Sequence, residues 1–351
     1  MDHNIRLGLS YDDVLLIPQH SKLSSRSEVS LTTNISPNIS LNLPLISINM
    51  SDVTEEKMAI VLGKLGALGF IHRFLNIEKQ ADMVDKVKKE KVLVGAAIGV
   101  RNGHLKRAEA LAKAGADVIT IDVAHGGMQK TIDATKNLKR LVGGKVTVIS
   151  GVVAAYEAAN DLFSAGADSV RVGVGPGTIC TTRITTGVGV PQITAIIESA
   201  KAAREHKKTI LCDGGTKNSG DIVKGLAAGA SGVVIGSQFA GTLEAPGRII
   251  KKEGKKYKSY NASTSLPEKK NHIRLLPGLK KDYLNHVEGV KAFVPFKGPV
   301  SGVADQMEAG IRSGFSYCGA KNIPELWKNA KFIRITPQGV RESGTHDVMS
   351  D

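Results

Sequence analysis

Residues 113–122 read KAGADVITID: the end of a helix-like segment, a Gly-Ala turn, then a run of aliphatic and β-branched residues closing on an aspartate. The same phrase recurs as KLGALGFIH at 64–72, SAGADSVRVG at 164–173 and AAGASGVVIG at 227–236. A glycine placed just after a helix takes the left-handed conformation that ends it. The strand that follows is apolar on both faces, and such a strand must be covered on both sides, as in a parallel sheet. Working outward, the runs PLISINM (44–50), VLVGAAI (92–98), KVTVIS (145–150) and TILCDGG (209–215) bring the strands to eight. Helical periodicity fills the intervals, ending at Leu65 and then over 77–90, 102–114, 128–142, 155–165, 192–206, 219–228 and 301–314. Eight repeated βα units predict an α/β protein, a (β/α)8 TIM barrel, with a doubly wound sheet as the alternative.

Three stretches fall outside the repeat. Residues 1–43 are polar with few long apolar runs and read as an N-terminal lead-in, the core beginning at Pro44. Residues 251–300 are basic and weakly periodic, too long for an ordinary βα connection, and read as a mobile flap over the barrel mouth. The tail 321–351 carries a short strand-like KFIRIT and then the polar RESGTHDV.

Composition narrows the function classes. The chain has 351 residues, 42% of them apolar and 23% charged, which is ordinary globular usage. No run of eighteen apolar residues and no charged-then-apolar leader is present, so no membrane span is expected and the location read from the sequence is cytoplasmic. Cys180, Cys212 and Cys318 lack both disulfide parity and metal-ligand spacing. The formal charge of +14 is spread along the chain and aromatics are only 4%. That combination suits phosphorylated metabolites better than nucleic acid.

In a TIM barrel the chemistry sits at the C-terminal strand ends. Those ends carry Asn49, His72, Asp122, Ser150, Asp213-Gly214-Gly215 and Gly236-Ser237, and the sixth runs into GVGPGTICTTRITTGVGVPQ (173–192). Glycines on both sides let this loop approach a ligand closely. The hydroxyls of Thr178, Thr181 and Thr182 and the cation of Arg183 make Cys180 a nucleophile candidate. Buried structural cysteines sit in aliphatic runs, as Cys212 does in TILCD. The turns DGG and GS after strands seven and eight suit a phosphate held on backbone N–H groups.

With these pieces in place the chain resembles the IMP dehydrogenase/GMP reductase family over essentially its whole length. The motifs that carry the likeness are GVGPGTICTTR with GVGVPQITAI, ILCDGG, GSQFAGTLEAPG, VPFKGP and RITPQGVRESGTHDV. The resemblance implies oxidation of IMP to XMP by NAD+ through a covalent cysteine intermediate. GMP reductase (GMP to IMP with NADPH) is the alternative, and a nucleotide-binding homologue without turnover is the third. It implies Cys180 as nucleophile, with Thr182 and Arg274 in the catalytic set. Thr178, Asp213, Gly215, Gly236, Ser237, Tyr260 and Glu288 would hold the nucleotide, and Asp122 and Gly173 the dinucleotide. Backbone carbonyls of Gly175, Gly177 and Cys180, joined by Glu342, Ser343 and Gly344 of a neighbouring subunit, would bind K+, which implies a homotetramer. The tail motif and the Val190-Pro191 pair are similar to dehydrogenases. KVKKEKV (86–92) runs straight into the next strand, where dehydrogenases usually insert a CBS regulatory pair. Leu275 follows Arg274 where the family usually has Tyr, Ser51-Asp52 replaces Asp-Thr, Val152 replaces an Asn, and Asn261-Ala262-Ser263-Thr264-Ser265 replaces the usual purine-gripping segment.

Overall fold

The structure is a computed structural model describing residues 5–275 and 281–345. Eight strands close into a barrel in chain order, every neighbouring pair parallel: β1 Leu45–Ser47, β2 Leu68–Ile71, β3 Gly95–Ile98, β4 Val118–Asp122, β5 Thr147–Val153, β6 Ser169–Val172, β7 Thr209–Asp213 and β8 Gly232–Ile235. The helices that cover them are α1 Glu56–Lys64, α2 Ile77–Lys89, α3 His104–Lys113, α4 Gln129–Val142, α5 Tyr156–Ser164, α6 Gln192–Glu205, α7 Ser219–Ala227 and α8 Val300–Tyr317. The TIM barrel expected from the repeat is the observed fold.

The repeated Gly-Ala turn has one geometry throughout. Gly66, Gly115, Gly166 and Gly229 all take positive φ. The amide of the next residue then reaches back to the helix: Ala67 to Leu62 (2.9 Å), Ala116 to Leu111 (3.0 Å), Ala167 to Leu162 (3.1 Å) and Ala230 to Gly225 (3.3 Å). This arrangement uses up an otherwise orphaned helix carbonyl and aims the chain into the next strand. The four-residue strands that follow are wholly buried.

The core begins earlier than Pro44. A hairpin of Thr33–Ser36 and Ile39–Leu41 closes the N-terminal end of the barrel. Ile35, Ile39 and Leu41 pack with Phe70, Ile149, Leu211 and Val234 from the barrel interior. The Thr33 hydroxyl donates to the Ser231 carbonyl (2.6 Å) and the Thr209 hydroxyl to the Ile35 carbonyl (2.6 Å). The alternation in TNISPNISL is too short to read as core without the barrel it plugs. Ile35→Ala should destabilise the protein by about 2–4 kcal/mol in urea unfolding, the range for deleting a buried aliphatic group. A smaller loss would mean that the plug is peripheral.

Residues 251–300 also hold regular structure. Ile249–Lys252, Lys255–Asn261 and Lys291–Pro295 form a three-stranded antiparallel sheet, and Leu266–Leu275 is a helix. From the tail, Phe332–Arg334 pairs with Val14–Leu16, the strand expected within KFIRIT.

Candidate active site

The strand ends of β1, β4, β6, β7 and β8 surround a cavity of about 250 Å3 whose wall includes Cys180, Thr182, Asp213, Gly236, Tyr260 and Glu288. Cys180 sits half-buried on the loop after β6, its N–H bonded to the Gly177 carbonyl (3.0 Å). Its thiol donates to Thr182 Oγ1 (3.2 Å), and that hydroxyl donates to Glu288 Oε2 (2.7 Å). The chain from sulfur to carboxylate is a path along which a thiol proton can leave. Backbone pairing fixes it: Thr181 N–H donates to the Glu288 carbonyl and Val290 N–H to the Ile179 carbonyl, both at 3.1 Å, so Cys180 and Gly289 form an isolated antiparallel bridge.

Arg183 does something other than what its place beside Cys180 suggests. Its guanidinium donates to the carbonyls of Val174 (3.3 Å) and Val190 (2.5 Å), tying the two ends of the cysteine loop together. None of these bonds reaches the thiol.

Behind the cavity wall, bonded to residues that line it, lies a residue the sequence reading passed over. Arg171, in the middle of β6, is only 2% exposed. Its Nε and Nη2 both bond Asp213 Oδ2 (2.8 and 2.6 Å), and its Nη1 bonds Asn49 Oδ1 (2.7 Å) and lies 3.7 Å from Asp122 Oδ1. Asp122 Oδ2 accepts from Arg73 Nε (3.0 Å). Burial opposes the ionised form of Asp122, but Arg73 and Arg171 outweigh it and the carboxyl lies below its ordinary value. Burial wins at Asp213, with Asp122 adding to it, and that carboxyl is raised. A charge inside an otherwise apolar barrel strand needs a buried partner, and that was the available signal.

The residues expected to hold the phosphate also come together. Thr178, Gly215, Gly236, Ser237 and Tyr260 line the same cavity. Gly236 has to be glycine because a Cβ there would stand 2.5 Å from the Tyr260 hydroxyl oxygen. Gly173, Gly175 and Gly177 lie on the cysteine loop and also face the cavity.

Arg274 stands apart from these residues. It stands on the outer face of the helix Leu266–Leu275, exposed, within 3.5 Å of Asn271 Oδ1, and is not part of the cavity wall. The helix buries Glu268, Lys269 and His272 instead, and Arg274, two residues beyond His272, is turned away by about 200°. His272 stacks on Phe74 (centroids 3.7 Å, planes 4° apart) and its Nδ1 meets the Tyr283 hydroxyl at 3.0 Å. Burial, with Arg73, His72 and Lys269 nearby, pushes its imidazole down to about 3.

The profile of the IMP dehydrogenase / GMP reductase domain matches residues 8–346. The chain belongs to that family. It is 34% identical to the inosine-5'-monophosphate dehydrogenase of Nitrosopumilus maritimus, covering 97% of this chain and 98% of that protein. Against the inosine-5'-monophosphate dehydrogenase of Cryptosporidium parvum the identity is 39%, over 98% and 96%. The GMP reductase of Leishmania donovani is 33% identical over 97% of each chain. Among solved structures, a GMP reductase variant from Trypanosoma brucei in complex with guanosine 5'-monophosphate superposes with a TM-score of 0.92 at 31% identity, covering 99% of both chains. The family is one of purine-nucleotide oxidoreductases that holds IMP dehydrogenases and GMP reductases, and relatives of both kinds are similar to this chain.

Two departures from the IMP dehydrogenase / GMP reductase motifs meet each other in space. Asp52 Oδ2 accepts from the backbone N–H (3.0 Å) and side-chain amide (2.7 Å) of Asn261, and the Ser51 hydroxyl donates to Glu268 Oε2 (3.0 Å). The altered rim loop therefore clasps the altered flap segment. Burial first, then the Glu268 charge, raises the Asp52 carboxyl to about 6. A carboxyl whose folded pKa lies above its unfolded value is most stabilising when protonated, so its contribution is lost as pH rises from about 4 through about 6. The unfolding midpoint of the wild type should carry a component that falls over that window and is missing in Asp52→Asn. Parallel curves for the two proteins would exclude titration at Asp52.

The potassium set divides in two. Gly175, Gly177 and Cys180 are at the cavity, whereas Glu342 closes the helix Pro337–Glu342, beyond the strand Phe332–Arg334, with Ser343 and Gly344 following. His346 to Val348 of the tail motif lie outside the described residues. Among the described residues, no helix is long and apolar enough to cross a membrane.

Proposed function

We propose that this chain oxidises IMP to XMP with NAD+, with Cys180 as the covalent nucleophile. The observation that carries the reading is the run Cys180–Thr182–Glu288 opening on a cavity that also holds Asp213 and the glycine cradle. The thiol proton passes to Thr182 as the Thr182 proton passes to Glu288, and the thiolate adds to C2 of the purine. Asp213 takes the ribose hydroxyls, and Thr178, Gly215, Gly236, Ser237 and Tyr260 surround the phosphate. Asp122 and Arg73 offer a carboxylate and a cation that fit a dinucleotide. When bound, NAD+ would accept the hydride from C2. Water then cleaves the carbon–sulfur bond and restores the thiol.

Carbonyl oxygens on a glycine-rich loop suit a large monovalent cation, and Gly175, Gly177 and Cys180 would hold K+ and so fix the loop. Completion by Glu342, Ser343 and Gly344 of a neighbour requires a closed homotetramer, and a fully active monomer in sedimentation would remove that part. Residues 251–300 act as the flap over this cavity, and the chain works in the cytoplasm.

GMP reduction with NADPH is the second reading. Arg274 lies outside the cavity with Leu275 in place of the usual tyrosine, which leaves the hydrolytic step without its base, and the overall likeness to a GMP reductase is close. The test is near-ultraviolet absorbance with K+ present, comparing IMP plus NAD+ with GMP plus NADPH. A rise in the first mixture with XMP formed supports the dehydrogenase, and a fall in the second alone supports the reductase. No change in either leaves a nucleotide-binding homologue.

A further inference from the structure

The two carboxylates assigned above to two different ligands are not independent. Asp213 and Asp122 belong to strands on opposite flanks of β6's neighbourhood, β7 and β4, and one buried guanidinium reaches both. Both bonds from Arg171 to Asp213 fall on Oδ2, so Oδ1 is the oxygen left for a ligand hydroxyl. The third nitrogen, Nη1, is held by Asn49 Oδ1 (2.7 Å) and lies 3.7 Å from Asp122 Oδ1. Arg73 closes the row on the far side of Asp122. The charges therefore alternate Arg73, Asp122, Arg171, Asp213, with Arg171 behind the cavity wall and reaching both of the carboxylates that line it.

We propose that Arg171 is a positioning residue that couples the nucleotide and dinucleotide halves of the cavity, by orienting Asp213 through two hydrogen bonds and Asp122 through the ion pair of its Nη1 arm, which Asn49 holds in place. The inference rests on the reading of the cavity as a joint purine-nucleotide and dinucleotide site. Its physical content is geometric. A planar fork holds one carboxylate with two donors while a third nitrogen, fixed at a set angle and anchored on an amide oxygen, faces the other. A lysine keeps the charge but supplies no fork. With Arg171→Lys, Asp213 and Asp122 would each keep an attractive cation nearby and lose their fixed orientation relative to each other. A ligand hydroxyl on either carboxylate would then meet a mobile acceptor.

The test uses calorimetric titration of the full chain in a Cys180→Ala background, where no turnover consumes the ligands. The probes are IMP, GMP, NAD+ and NADPH, alone and in nucleotide–dinucleotide pairs. Arg171→Lys is expected to weaken both the preferred nucleotide and the preferred dinucleotide by about tenfold, the scale of a lost hydrogen bond to a charged group. It should also abolish the change that one ligand makes in the affinity of the other, with the unfolding midpoint close to that of the parent. Asn49→Ala removes the anchor of the Nη1 arm that faces Asp122, leaves the fork on Asp213, and should weaken the dinucleotide while sparing the nucleotide. Unchanged affinities in Arg171→Lys, a loss confined to one ligand, or persistent coupling in that variant would each overturn the proposal and leave the functional reading intact. If Arg171→Lys does not fold, Asn49→Ala decides: equal effects on both ligands, or none, exclude the coupling. A parent protein that binds no purine nucleotide at all defeats the functional reading, and the proposal falls with it.

Discussion

Cys180→Ala is expected to lower turnover by at least about 10^4-fold, because Cys180 carries the one thiol among the described residues of the cavity wall and so forms the covalent bond that divides the reaction into two steps. Nucleotide affinity should change little. The contacts assigned to ribose and phosphate come from Thr178, β7, β8 and the flap sheet, not from the sulfur. The fold should tolerate the change, since Cys180 is half-buried and gives up one bond, to Thr182. The checks are initial rates together with a titration of IMP or GMP by intrinsic fluorescence. Retention of more than about a hundredth of wild-type turnover would move the nucleophile elsewhere. A nucleotide affinity that collapsed along with turnover would mean that Cys180 holds the loop in shape as well as reacting.

The barrel was legible because its signal is local and repeated. Each Gly-Ala turn writes the end of a helix and the start of a strand into five or six residues, and the strand bounds expected at 117–122, 209–215 and 232–237 fall within two residues of those found. The cysteine loop was legible for a related reason, since glycines crowded around a polar cysteine have no use in a core. What escaped was everything whose meaning depends on a distant partner. Ile35 and Leu41 are core only because the barrel has an open lower end for them to fill. Arg171 looks like one charge in an apolar strand until Asp213, Asn49 and Asp122 are brought around it. The family resemblance puts Arg274 in the site, but helical rotation puts His272 inside and Arg274 out.

The departures at Ser51-Asp52 and Asn261–Ser265 carry the same lesson in the other direction. Read singly, each removes a family contact. Read together, Asp52 with Asn261 and Ser51 with Glu268 bind the rim loop to the flap. Ala262, Ser263 and Thr264, which follow Asn261, are thereby held on the cavity wall.

That attachment has a steric consequence at Gly289, which provides the second large effect. A Cβ on Gly289 would lie 2.2 Å from the Ala262 Cβ, 3.1 Å from Thr264 Oγ1 and 3.3 Å from the Ile179 carbonyl. No rotamer relieves a clash between two Cβ atoms, so in Gly289→Ala the segment 288–290 must move off the cysteine loop by roughly 1 Å or more, against a normal carbon–carbon contact of about 3.5–4 Å. The two 3.1 Å backbone bonds that pair this segment with residues 179–181 would be strained or broken, and Glu288 would be drawn away from Thr182. Misplacement on that scale costs about 100-fold in rate when it separates groups that must exchange a proton. The unfolding midpoint should barely shift, because residues 288–290 contribute nothing to the buried apolar core of the barrel. Glu288→Gln should lose comparable rate with the nucleotide KM intact, since the amide keeps the shape and cannot take the proton. The decisive variant is the double substitution Ala262→Gly with Gly289→Ala, which deletes the opposing methyl. It should recover most of the lost turnover. A single Gly289→Ala enzyme within threefold of wild type, or a double variant no better than the single, would mean that Glu288 reaches Thr182 without the Cys180–Gly289 bridge.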